Sequence, residues 1–129
     1  MYYLLIDMSE NSNIHLALFD EKKFVEKKYE GQNRELLLCI DNLLTENDFE
    51  KENIKGIMIV VGTGSFTSTR IACVVANTFA FVLQIPLLAI GVEDISNVQS
   101  LIPKLLEQPK GQYISATYSG EPNIGESKK

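Results

Sequence analysis

Tryptophan is absent from the 129 residues, histidine occurs once and cysteine twice. Cys39 and Cys73 lie far apart within apolar stretches and form no C-x-x-C or Cys/His cluster, so two reduced core thiols are expected. A zinc site cannot be assembled from them with His15 alone, and no metal or other cofactor is expected. A basic surplus is also missing: 12 Lys and Arg face 17 Asp and Glu, for a net charge of -5. Residues 20–30, the densest charged stretch, hold four Lys and four acidic residues and nearly cancel. This argues against nucleic-acid binding by simple charge attraction. The longest apolar stretch, residues 71–83, is interrupted by Asn77 and Thr78 and falls short of the ~20 residues of a membrane span. Residues 1–7 lack the basic start, apolar length and small-residue cleavage site of a signal peptide. A soluble cytoplasmic protein with no membrane attachment is the expectation. At this length one core buries roughly two-thirds of the unfolded chain's surface, so neither disulfide nor structural metal is required.

What is present is a clear change of period along the chain. Residues 2–6 and 14–19 are β-rich runs separated by Ser9, Asn11, Ser12 and Asn13, which favour turns by bonding their own backbone, and they predict a hairpin. Residues 24–29 add a third strand, expected to be exposed on one face because Lys and Glu alternate through it. From Asn33 the spacing of Leu36, Leu37, Ile40, Leu43 and Leu44 predicts an amphipathic helix ending near Asn47. Residues 56–61 are a continuous apolar run of strand length, as in a central strand covered on both faces. Thr67 or Ser68 can cap a second helix running to about Gln84. It is apolar on most of its circumference, so it has to be buried all round, and in so small a chain the sheet covers only one side. A partner protein is the candidate for the other side. Pro86 stops this helix, residues 87–90 make another strand, and residues 93–102 a shorter helix that Pro103 ends or kinks. The expected division is a domain over residues 1–108 and an extended tail over 109–129, with one short strand candidate at 113–118. No internal repeat is visible.

Few residues offer chemistry. Gly62, Thr63, Gly64, Ser65, Phe66 and Thr67 stand between a buried strand and a helix N-terminus, where backbone amides and the helix dipole can hold a phosphate. The loop lacks the Lys-Ser or Lys-Thr pair of a Walker motif and the three spaced glycines of a dinucleotide fingerprint. A tight strand-to-helix turn with Ser65 and Thr67 as caps accounts for it more simply. Ser65 has no second glycine of a nucleophile elbow, which makes a hydrolase triad improbable. His15, between Ile14 and Leu16, suits an exposed position on an alternating strand. Asp7 ends the first strand; it can orient a metal-bound nucleotide or cap the following turn.

In order, Leu5-Ile6-Asp7-Met8-Ser9, Glu35-Leu36-Leu37, the segment from Val61 through Gly62, Gly64, Ser65, Phe66 and Thr67 to Arg70-Ile71, and Gln84-Ile85-Pro86-Leu87 resemble the TsaB (YeaZ) family. The resemblance runs from about residue 2 to 92, and the glycine loop is its specific part. Met8, Thr63, Ser68 and Thr69 depart from the usual Thr, Pro, Gly and Leu. Family members carry a second domain of similar size, so the resemblance implies a shortened form lacking most of it. It also implies an α/β actin-like ATPase (ribonuclease H-like) half-fold, with a mixed five-stranded sheet of order 3-2-1-4-5. The implied function is that of a non-catalytic scaffold for a TsaD-type catalytic subunit in threonylcarbamoyl transfer to tRNA adenosine 37. A TsaE-type ATPase would be a further partner, and tRNA would be met only through the complex. If the helices pair as in the family, the contact surface comprises Arg34, Leu37, Leu38 and Asp41 with Ile71, Val74, Val75, Thr78 and Phe79. Two alternatives are a nucleotide-binding phosphotransferase of the actin-like class, using Asp7 and the glycine loop, and a homodimer pairing through its second helix.

Overall fold

The computed structural model describes residues 2–10, 13–31, 35–62 and 66–110; the tail expected from 111 onward, with its strand candidate, lies outside them. Strands β1 (Tyr2–Asp7), β2 (Asn13–Phe19) and β3 (Phe24–Glu30) follow one another as an antiparallel meander. The chain then crosses through helix α1 (Leu36–Glu46) to β4 (Ile54–Val60), which pairs parallel to β1. Helix α2 (Phe66–Leu83) leads to β5 (Leu87–Ile90), parallel to β4. The sheet order is β3-β2-β1-β4-β5, the expected one. No helix of the described residues is long and apolar enough to cross a membrane.

The apolar runs of β1 and β4 are continuous because both faces of the sheet are covered. On one face Leu4, Ile6, Ile14, Leu16, Ile57, Ile59 and Leu87 pack against Leu36, Ile40 and Leu43 of α1 and Ala72, Ala76 and Ala80 of α2. On the other, Tyr3, Leu5, Ala17, Phe19, Met58 and Val60 meet Val98, Ile102 and Leu105. This second cover differs from the expected single helix. Residues Val92–Leu101 form 3-10 turns broken at Asn97, and a short helix α3 (Ile102–Leu106) follows. Pro103 begins α3 rather than ending its predecessor, because in a first turn the missing N–H costs no hydrogen bond.

Three other expectations are corrected. Strand β3 is exposed along nearly its whole length, since it is the sheet's outer edge. Helix α2 begins at Phe66, ahead of the expected caps; as expected, the sheet covers only one side of it and the other faces outward. His15, expected at the surface, is 7% exposed, because an alternating strand has a wet face only where the sheet is uncovered.

Candidate functional site

Helix α2 turns its small residues inward. Ala72, Cys73, Ala76 and Ala80 are buried against the sheet, which lets the helix backbone approach β4 closely. Larger apolar side chains point the other way: Val74 is 62% exposed, Phe81 69% and Val82 68%. Positions 74, 78, 81 and 82 recur at helical spacing and form one stripe. Thr78 lies in that stripe, and its hydroxyl donates to the Val74 carbonyl at 2.8 Å, so its polar atom is spent within the helix. On α1, Leu37 and Leu38 are 54% and 59% exposed, and Asp41 is exposed beside them.

The two helices enclose a groove of about 440 Å³, lined by Leu37, Val74, Val75, Thr78, Phe79, Val82 and Leu83, with Lys51 and Glu52 at its rim. An apolar floor with charged residues at the edge is the make-up of a protein-binding surface. Ile71, Val75 and Phe79 are half-buried, packing partly on the core. Leu37, Val74, Val75, Thr78 and Phe79 thus meet at one groove. Arg34 lies outside the described residues. The outward positions Phe81 and Val82 were absent from the expected contact surface, although the spacing from Val74 and Thr78 suffices to find them.

Of the glycine loop, Gly62 is described and has φ 90, a left-handed conformation that side chains resist and glycine adopts freely. It turns the chain from β4 toward α2. Gly64 and Ser65 lie outside the described residues, as do the side chains of Phe66 and Thr67. Arg70 is exposed in the first part of α2.

At the same end of β1 the structure brings together a cluster that sequence patterning missed. Asp7 Oδ1 accepts the Ser9 backbone N–H at 2.9 Å and the Ser9 hydroxyl at 2.6 Å, so Asp7 caps the turn after β1. Its Oδ2 lies 3.1 Å from His15 Nδ1, and His15 Nε2 lies 2.7 Å from Glu26 Oε1. Burial opposes the Asp7 charge, but the hydrogen bonds from His15 and Ser9 outweigh it and hold the carboxyl below its usual range. The legible signal was register: Asp7 and His15 flank the turn and face each other across the hairpin. Both cysteines are buried, and burial pushes the Cys73 thiol up to about 11, where it is unreactive. Among the described residues no group of three His, Cys, Asp or Glu is placed to hold a metal ion.

Residues 29–116 match the family model of TsaD, tRNA N6-adenosine threonylcarbamoyltransferase. The tRNA threonylcarbamoyladenosine biosynthesis protein TsaB of Bacillus subtilis is 27% identical over 127 residues, covering 92% of this chain and 55% of that protein. YeaZ from Pseudomonas aeruginosa superposes with a TM-score of 0.66 at 26% identity, over 80% of this chain and 49% of its own. A crystal structure of an uncharacterized protein with similarity to peptidase YEAZ, from the same organism, gives 0.64 at 29% identity, over 70% and 43%. The chain therefore spans about half the length of the relatives it matches. With its sheet order and these neighbours, the fold is actin-like, of the ribonuclease H-like kind. The chain belongs to the TsaD family and is, within it, a partial-length member of the TsaB (YeaZ) group.

Proposed function

We propose that this chain acts in tRNA threonylcarbamoyladenosine modification as a non-catalytic subunit, docking a TsaD-type catalytic protein through the outer face of α1 and α2. One observation carries the proposal: α2 is built inside out for an isolated helix, with alanines on the core and Val74, Phe81 and Val82 in solvent. Leaving such side chains exposed forgoes roughly 1.5–3 kcal/mol for each that a partner would bury fully. The strand-end acid supports the same view, since both oxygens of Asp7 are engaged by Ser9 and His15. The docking unit lies within residues 1–108. The chemistry belongs to the partner.

Co-expression with the TsaD-type protein of the same genome, followed by size-exclusion chromatography with light scattering, tests this. A one-to-one complex is expected. Val74→Asp and Val82→Asp should each weaken it by about 2 kcal/mol or more. Both sites are exposed, so circular dichroism should show an unchanged fold. Two separate peaks, or a complex indifferent to both substitutions, would overturn the proposal; a homodimer persisting beside the TsaD-type protein would replace it with self-association.

A further inference from the structure

His15 sits between two carboxylates, with Nδ1 3.1 Å from Asp7 Oδ2 and Nε2 2.7 Å from Glu26 Oε1. A neutral imidazole has one N–H and one bare nitrogen, whereas an ionised carboxylate only accepts. A neutral ring would therefore set a lone pair against a carboxylate oxygen at one of the two contacts. Only the doubly protonated ring satisfies both. Asp7 comes from β1 and Glu26 from β3; Lys28, also on β3, is the cross-strand neighbour of His15, and its ammonium lies 3.5 Å from Glu10 Oε2. Beyond Asp7 the adjacent strand β4 presents apolar Met58 and Val60 on this face, and the segment covering it contributes Val98, Ile102 and Leu105.

We propose that Asp7, His15 and Glu26 form a pH-operated clasp, closed while His15 is an imidazolium, that ties edge strand β3 across β2 to the end of β1. The Asp7 hydrogen bond holds the imidazole above its ordinary value of 6.5; burial works against it and Glu26 adds to it. The folded chain thus keeps this proton to a higher pH than the unfolded chain does. The clasp's stabilisation is whole below pH 6.5 and is lost as pH rises through the raised folded value. On the acid side, Asp7 is held below 3.8, so its share persists above 3.8 and is lost as pH falls through the lower folded value. When the clasp opens, the Nε2 proton passes to water and the half-exposed Glu26 turns to solvent. The backbone ladder of β2 and β3 stays, but the tie between His15 and Glu26 is lost, which leaves the strand ends beyond it, residues 13–15 and 28–30, less firmly held.

His15 is the single histidine, so its ring signals are unambiguous in NMR. Below pH 6.5 both ring nitrogens should carry protons, and titration should fall above 6.5. Across that titration, amide exchange at residues 13–15 and 28–30, corrected for its intrinsic pH dependence, should accelerate. Glu26→Gln, at an exposed side chain, should move ring titration and exchange together to lower pH. A ring that titrates at or below 6.5 in the native chain, or holds a bare nitrogen below that pH, would overturn the clasp. So would exchange at those ends that ignores the titration. The native-chain measurements decide the question even if the variant fails to fold.

Discussion

Gly56 shows how tightly a single position is determined. A Cβ there would lie 2.7 Å from Leu105 Cδ2, 3.1 Å from Leu105 Cγ and 3.2 Å from Tyr3 Cδ1. The first contact involves the end of a movable side chain, but the other two involve atoms held within the core on that face. Gly56→Ala should therefore cost about 1–3 kcal/mol through overpacking. A lower urea midpoint at unchanged slope would register it; a midpoint equal to the native one would mean that Leu105 swings aside freely. At this scale the sequence was legible for the cysteines, which depend on immediate neighbours, whereas for Asp7 it left two roles open, of which the structure shows the turn cap. It misled for His15, because alternation along a strand says which residues share a face and not whether that face is wet. Asp7 and Glu26 are 8 and 11 residues from His15 in sequence, and their meeting depends on the register of two hairpins.

Both long helices end in the same way. After α1, Asp48 adopts φ 59, its N–H donates to the Thr45 carbonyl at 3.2 Å, and the Phe49 N–H donates to Leu44 at 2.8 Å. After α2, Gln84 adopts φ 55 and the Ile85 N–H donates to Ala80 at 3.1 Å. This closure favours glycine at the left-handed residue, and neither helix has one there. Asp48 carries a second disadvantage, a negative charge beside the carbonyl end of the helix dipole. Asp48→Gly should raise stability by roughly 0.5–1.5 kcal/mol, read as a higher urea midpoint; a lower midpoint would show that the aspartate makes an offsetting contribution. Most elements could be read from period and punctuation. Residues 87–90 were placed as the strand observed, and the end of α1 at Asn47 follows its pattern. The segment around Pro103 could not be, since proline both stops and starts helices and only the preceding turns decide which. The outward face of α2 was half legible: its apolar circumference was plain, but which apolar side chains met the sheet depended on the helix's rotation upon it.

Across the whole molecule, order should fall off from the middle of the sheet. Strands β1 and β4 are bonded on both edges and covered on both faces, whereas β3 is bonded along one edge and mostly exposed. Amides of Leu5, Ile6, Met58 and Ile59 should exchange only through global unfolding, and those of β3 through smaller openings. Mass spectrometry or NMR under native conditions can rank them; central strands exchanging as fast as β3 would contradict the layered cover described above. The pairing of β1 with β4 also bears on how the chain reaches this state. The three-stranded meander joins near neighbours and can close early, but Leu4 must wait for Ile57 and Ile6 for Ile59. Closing so long a loop carries an entropy cost that the meander does not, so the β1–β4 seam is expected to form after the meander. During synthesis, β1 emerges with one edge satisfied by β2 and the other open, an apolar template available to any passing strand until residues 54–60 arrive.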